Sequence, residues 1–419
     1  MSPAFTPPPA LTAAALAGYA AAYGASVRRL DLSLAEAPAP ADLIDLTHGD
    51  TQAFAPPPRS AADFRAAVAD SAEAYTPYRG SASLRSALAP RLASLLGRPV
   101  DADTELIVTP GTQGALFAAL SALVSPGDTV LLPDPEYFMS ERIVSYLGGV
   151  PARIAIEQNE QGFLTLRDPE VAAVSRPRLL LLSHPNNPTG GVYQMEALAA
   201  LADFAVARDL IVVVDQLYCR LLFTGTKYGH LCTYPGMRER TITLLGPSKT
   251  ESMSGYRVGV AVGPKPAIDT MEHVLAMTSL RAAGYAQQAM RHWLDGDEDW
   301  LGERIAAHED LRDLLVGRLR TIPGVSVAAP AGSSYAFPLV AGTRWGRQAG
   351  PIGSTARHGP SWGRANDHMI AVALKQAGVL VNPGYQFGPA GRGRFRINFS
   401  QDKDRLLTAI DRIATALGQ

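Results

Sequence analysis

Gly246-Pro-Ser-Lys-Thr-Glu-Ser-Met-Ser-Gly-Tyr-Arg257 is the stretch on which the reading of this chain turns. Lys249 has a small hydroxyl residue immediately before it and an arginine eight positions later. An amine in that setting suits the capture of an aldehyde as an imine, while Ser248 and Arg257 grip an attached phosphate. A Ser-Lys-Thr triplet is common and says little alone. Its weight comes from the segments that lead up to it.

Short apolar runs precede it: Leu106-Ile-Val-Thr109, Thr129-Val-Leu-Leu132, Leu179-Leu-Leu-Leu182, Ile211-Val-Val-Val214 and Thr241-Ile-Thr-Leu-Leu245. Runs that are apolar on both faces suit parallel strands covered by helices. Helical periodicity at 114–123 and 195–208 supplies the crossovers, so an α/β sheet wound with helices is expected.

Sheets of this kind bind ligands at the carboxyl ends of their strands. Gly111-Thr-Gln-Gly114 opens a helix there, offering free N–H groups and a positive dipole end to a phosphate, or it is an ordinary turn. Tyr137, in Pro133-Asp-Pro-Glu-Tyr-Phe138, either stacks on a flat heterocycle or simply packs. Pro185 and Pro188 bracket Asn186 and Asn187, which stiffens the loop and pins a side-chain amide, although these residues also favour plain turns. His184 beside them reads as a loop histidine rather than a base or ligand. Asp215 closes a wholly apolar strand, where a carboxylate needs a cation or caps a helix. A protonated ring nitrogen would be such a cation, and Tyr218 follows three residues on.

The bulk numbers set limits. A chain of 419 residues exceeds one compact core, and 47% hydrophobic with 18% charged residues is a globular composition. A net charge of −1 leaves no footprint for nucleic acid or an anionic membrane. Cys219 and Cys232 form no disulfide scaffold or zinc spacing and read as reduced, which suits a cytoplasmic protein. The alanine-rich run 10–25 reads as an N-terminal helix rather than a signal peptide, since no basic segment precedes it. Residues 56–300 read as a large ligand-binding domain and 301–419 as a smaller α+β domain, with 1–55 packing against the smaller one. Within the latter, the Gly/Arg-rich stretch 341–364 is either a flap or a plain insertion.

Taken in order, the segments resemble the fold type I, pyridoxal-phosphate-dependent aminotransferases of class I/II, the aspartate aminotransferase superfamily. The resemblance runs from Leu46-Thr-His-Gly49-Asp50 to Arg394-Phe-Arg396-Ile-Asn-Phe-Ser400, with 28 residues from Asn187 to Asp215 and 34 from Asp215 to Lys249. It implies pyridoxal 5'-phosphate on a large domain with a mostly parallel sheet, beside a smaller α+β domain. It also implies a Schiff base at Lys249, which then moves the substrate proton. Asp215 would pair with the pyridinium nitrogen, and Asn187 and Tyr218 with the phenolic oxygen. Gly111, Thr112, Gln113, Ser248 and Arg257 would hold the phosphate, and Tyr137 would cover the ring. Tyr75, in Tyr75-Thr-Pro-Tyr-Arg-Gly80, is similar to the tyrosine that reaches a neighbouring subunit's phosphate, which implies a homodimer. Arg396 would take the substrate α-carboxylate, helped by Asn187 and the backbone of Gly49. No metal is implied.

Two positions depart from the family pattern: Gln216, usually acidic or small, and Gly246, usually a hydroxyl residue. The implied reaction moves an amino group between an amino acid and a 2-oxo acid. Another reaction on the same cofactor (elimination, replacement, cyclisation or oxidation) stays open, and so does a ligand-sensing domain that has lost catalysis. The retained Lys249 opposes the last reading, and residues 1–45 are too short and too weakly basic to supply a DNA-binding domain. Arg79, Arg281, Arg344 and Arg364 are candidates for a distal substrate carboxylate.

Overall fold

The computed structural model describes residues 27–69, 75–166, 177–340, 342–343, 345 and 364–418. The alanine-rich run 10–25, Arg344 and most of the 341–364 stretch lie outside them. The strands are β1 (Ile44–Asp45), β2 (Leu106–Thr109), β3 (Thr129–Asp134), β4 (Val150–Gln158), β5 (Phe163–Leu166), β6 (Pro177–Ser183), β7 (Val192–Tyr193), β8 (Ile211–Asp215), β9 (Thr241–Leu245), β10 (Gly259–Val262), β11 (Tyr335–Ala336), β12 (Val379–Leu380), β13 (Asn382–Pro383) and β14 (Phe395–Asn398).

Nine of these form one sheet in the order β2-β10-β9-β8-β6-β3-β4-β5-β7. Strands β9, β8, β6, β3 and β4 pair in parallel, while β10 is antiparallel to both β9 and β2. The apolar runs alternate between two faces, as the strand period of two requires. Val213, Leu179 and Leu181 pack on one side with Leu116 and Leu120 of helix Gly111–Leu123 and Met271 of helix Lys265–Met277. Val212, Val214, Leu180 and Leu182 face the other way, onto Leu198 and Leu201 of helix Met195–Ala207. Both faces are thus covered, which is why the runs read as continuously apolar.

The inverted strand β10 has a positional effect. Because it runs against its neighbours, its first residues lie at the edge where β2, β9, β8, β6 and β3 end. Arg257, two residues before β10, is thereby delivered to that edge.

A second core gathers Ile44 and Leu46 with Leu311, Leu315 and Leu319 of helix Glu298–Arg320, Phe395 and Ile397 of β14, and Leu406, Ile410 and Ile413 of helix Lys403–Gly418. Here β1 pairs with β12 in parallel, and β14 lies between β11 and β13. Periodicity places the long helix at 304–319, yet it begins at Glu298. Its first turns are held by charge rather than by apolar spacing. Asp297 accepts a bond from Arg220 at 2.6 Å, and Arg304 lies buried between Trp300 and Phe54. No described helix is long and apolar enough to cross a membrane.

Leu315 is fully buried in the second core. Leu315→Ala should cost about 2–5 kcal/mol through lost transfer energy and a cavity, read as a lower midpoint in denaturant unfolding.

Candidate active site

The carboxyl ends of β2, β3, β6, β8 and β9 open into a cavity of about 550 Å³. Thr112, Gln113, Tyr137, Asn187, Asp215, Tyr218, Ser248, Lys249, Arg257 and Arg396 all line it. Residues from six separate segments therefore meet where the sheet geometry requires them to.

At the β2 end, Gly111 has φ of 76°, a left-handed backbone that favours glycine. A side chain there would put its Cβ 2.3 Å from Arg257 Nη2, so the missing side chain is what lets the guanidinium lie on the turn. Arg257 itself is left-handed (φ 52°) and donates from Nη1 to the Ser254 carbonyl at 2.8 Å. Gly246 has a similar role. A Cβ at that position would lie 3.0 Å from Thr112 Oγ1 and 3.2 Å from Gly259 Cα, so the Thr112 hydroxyl holds the space a side chain would need.

The Asn186–Asn187 loop is as stiff as its prolines suggest. Asn186 bonds Gly191 through its backbone N–H and Thr189 through Oδ1, which leaves Asn187 to face the cavity. His184 is fully buried, stacked on Tyr228 at 4.2 Å, and burial lowers its pKa to about 3. It is a neutral packing residue.

Asp215 accepts a bond from the Leu217 N–H at 3.1 Å. Burial pushes its carboxyl up to about 6, against the pull of that bond and of the nearby Lys249. An anion at this strand end is under-compensated by the protein alone. Two loops beside it are locked together: Arg220, two residues after Tyr218, pairs with the buried Glu251, two residues after Lys249. Trp293 Nε1 also donates to Glu251 at 3.0 Å.

Arg396, on β14, reaches in from the second core. Its Nη1 donates to Asn187 Oδ1 at 2.8 Å, and its Nη2 to Asn382 Oδ1 at 2.6 Å and to the Thr47 carbonyl at 3.0 Å. The guanidinium lies 4.1 Å from the Tyr335 ring centre and 5.0 Å from that of Phe387, an aromatic cradle for a cation. Tyr335 also meets Tyr218 edge-on, with ring centres 5.3 Å apart. Burial opposes ionisation of either phenol. At Tyr335 the charges of Arg396 and Lys249 outweigh it and hold the phenol below its ordinary value, whereas Tyr218 is pushed up.

Four buried polar atoms in this lining have no hydrogen-bond partner among the described residues: Thr112 Oγ1, Ser248 Oγ, the Tyr218 hydroxyl and Arg396 Nε. Each such group left unmet costs about 1–3 kcal/mol. Hydroxyls beside a guanidinium suit a phosphate, a phenol suits a phenolic oxygen, and a guanidinium suits a carboxylate. The donor set therefore fits pyridoxal phosphate with an amino acid beside it.

Three expected residues stand outside the cavity lining. Gly49 packs on Ser400 and lines an adjoining pocket of about 480 Å³ that shares Ser248 and Lys249 with the first. Gly111 lies beneath Arg257. Tyr75 is 78% exposed, its ring 4.3 Å from the Arg281 guanidinium. Gln216 turns away from the cavity and pairs with His230 Nδ1 at 2.8 Å, so this departure does not touch the site. Arg79 is paired with Asp269 and Glu272. Sequence reasoning gave no role to Tyr335, Asn382 or the Arg220–Glu251 pair. Only the spacing of charges two residues after Tyr218 and Lys249 could have pointed to that pair.

The chain matches the family model for aminotransferase class I and II over residues 41–413. It is 31% identical to the putative aminotransferase YugH of Bacillus subtilis across 81% of this chain and 82% of that protein. It is 32% identical to a probable aspartate/prephenate aminotransferase of Thermus aquaticus, covering 90% and 92% of the two chains. Among solved structures, an aspartate aminotransferase from Rhodobacter sphaeroides superposes with a TM-score of 0.81 at 37% identity, covering 94% of this chain and 99% of that one. With the nine-stranded sheet, the lysine at its β9 end and these matches, the chain belongs to the class I and II aminotransferases, enzymes that depend on pyridoxal 5'-phosphate.

Proposed function

We propose that this enzyme transfers an amino group from an amino acid to a 2-oxo acid, using the cavity residues in the following roles. When bound, pyridoxal phosphate supplies an aldehyde that condenses with amines and a ring that withdraws electrons from the bond being broken. Thr112, Ser248, Arg257 and the N–H groups of Gly111 and Gln113 bind its phosphate. Tyr137 covers one ring face. Asp215 keeps a proton on the ring nitrogen, and that cation in turn offsets the cost of ionising a half-buried carboxylate. Asn187 and Tyr218 orient the phenolic oxygen. Lys249 Nζ takes the proton from the substrate Cα. Arg396 binds the substrate α-carboxylate with Asn187, and the Gly49 backbone approaches the same group. The observation that carries this reading is the convergence of four unpartnered buried polar atoms on the cavity that holds Lys249 and Asp215.

The proposal includes a homodimer. Tyr75, Tyr78, Met277, Leu280 and Tyr285 are exposed apolar residues, and Arg281 lies between the rings of Tyr75 and Tyr78. A second copy covering this patch would bring Tyr75 to the phosphate end of its site. Residues 56–300 form the cofactor domain and 301–419 the smaller domain, joined by the N-terminal segment through Ile44 and Leu46. Both cysteines are free and buried, which supports a reducing, cytoplasmic setting.

Borohydride reduction of the holoenzyme followed by peptide mapping should place the cofactor on Lys249. Lys249→Ala should abolish transfer from a panel of amino acids that includes glutamate, with a free 2-oxo acid as the product in the native enzyme. No free 2-oxo acid from any donor would overturn the transfer reading. Arg396→Ala should lower kcat/KM by roughly 100-fold, about 3 kcal/mol of lost charged hydrogen bonding, with the change carried by KM.

The pH dependence follows from Asp215, whose folded value of about 6 exceeds the ordinary 3.8. Between these values the folded chain keeps a proton that the unfolded chain has lost. Its contribution to stability therefore falls as pH rises through that window and is at its lowest above about pH 6. Cofactor-free Asp215→Asn should be more stable than the native apoprotein at pH 8 by about 1–3 kcal/mol, with the gap closing towards pH 4. The same variant should bind pyridoxal phosphate more weakly. Thermal melts across pH and cofactor titrations check both.

A further inference from the structure

Glu136 stands immediately before Tyr137 and is 3% exposed. Each of its carboxylate oxygens takes two bonds. Oε1 accepts from Ser183 Oγ at 2.6 Å and the Tyr137 N–H at 2.7 Å. Oε2 accepts from the Ser183 N–H at 2.9 Å and Asn186 Nδ2 at 3.3 Å. Four neutral donors thus fill the four acceptor positions of one buried carboxylate.

The bonds continue beyond the clamp. Ser183 Oγ, having donated to Glu136, accepts the Asn187 N–H at 3.0 Å. Asn187 Oδ1 in turn receives Arg396. In the other direction the Glu136 N–H donates to the Phe387 carbonyl at 3.0 Å, and the Phe387 ring faces the same arginine. One side chain therefore joins the β3 turn, which carries Tyr137, to the β6 loop, which carries Asn187. Both paths end at Arg396.

Glutamine could not replace it. An amide has one acceptor oxygen and two donors, so two of the four N–H or O–H groups would face an NH₂. The arrangement also costs stability. Burial pushes the Glu136 carboxyl up to about 7, and the charge of Asp215 adds to the rise, against the bonds from Ser183 and Tyr137.

We propose that Glu136 is a positioning residue of the cofactor site, a clamp that sets the Tyr137 ring and the Asn187 amide in one fixed relation to each other and to Arg396. The inference rests on the cofactor roles proposed for Tyr137 and Asn187. A donor held against the phenolic oxygen would favour the deprotonated form of the bound cofactor, so loosening Asn187 should raise the pH at which its absorbance titrates.

The experiment compares native holoenzyme, Glu136→Gln and Asn187→Ala, each loaded with pyridoxal phosphate and titrated with pH by absorbance. Cofactor dissociation constants and melting temperatures are measured on the same samples. Glu136→Gln should move the midpoint upward, in the direction of Asn187→Ala, by roughly one pH unit, and weaken cofactor binding about tenfold. A merely structural residue would lower the melting temperature and leave the midpoint in place, and that result overturns the proposal. Should Glu136→Gln fail to fold, Ser183→Ala removes the hydroxyl that bridges Glu136 and the Asn187 N–H and must raise the midpoint; an unmoved midpoint overturns the clamp. Failure of the cofactor reading is separate: there, native protein itself shows no titrating absorbance, or Asn187→Ala leaves it unchanged.

Discussion

The structure is organised around a carboxylate that the protein leaves under-compensated. Asp215 ends a strand whose other residues are wholly apolar, and the described residues offer it one backbone N–H and a lysine some distance away. Charge in such a place is costly unless a cation arrives. Everything nearby is fixed so that the arriving group meets rigid partners: Arg220 ties to Glu251, the proline-bracketed loop holds Asn187, and Gly111 leaves room for Arg257. Little reorganisation remains for the moment of binding, which is the condition under which fixed dipoles and charges act most strongly.

Arg396 belongs to a different core from Lys249. Arg396 lies on β14, between β11 and β13, yet its guanidinium contacts Asn187 from the large sheet. The placing of this guanidinium relative to Lys249 thus depends on how the two cores sit together. The aromatic pair of Tyr335 and Phe387 steers the guanidinium from the smaller side.

Much of this was legible in the chain before its structure. The runs Leu106–Thr109 and Thr241–Leu245 coincide with β2 and β9, because strands buried on both faces have no exposed positions to blur their limits. The cavity residues stood out because polar or small residues after an apolar run mark a strand end. Other features were hidden for a physical reason. Glu136 sits in a turn where acids are ordinary, and its meaning comes from Ser183, 47 residues away. Tyr335 looks like any aromatic between small residues until Arg396 is placed against it. The helix start at Glu298 was missed because ion pairs, not periodicity, hold it. Gln216 showed the opposite limit: conspicuous in sequence, it faces His230 and leaves the cavity untouched.

The second core has a consequence for biosynthesis. Ile44 and Leu46 find their partners among residues 311–417. A ribosome releases the chain from its N-terminus, so these two side chains leave the exit tunnel long before the helix Lys403–Gly418 exists to cover them. The large sheet, whose strands all fall between 106 and 262, is free to assemble meanwhile. The nascent polypeptide thus carries an uncovered apolar segment beside an already folded body, and holdase chaperones would find their natural target there.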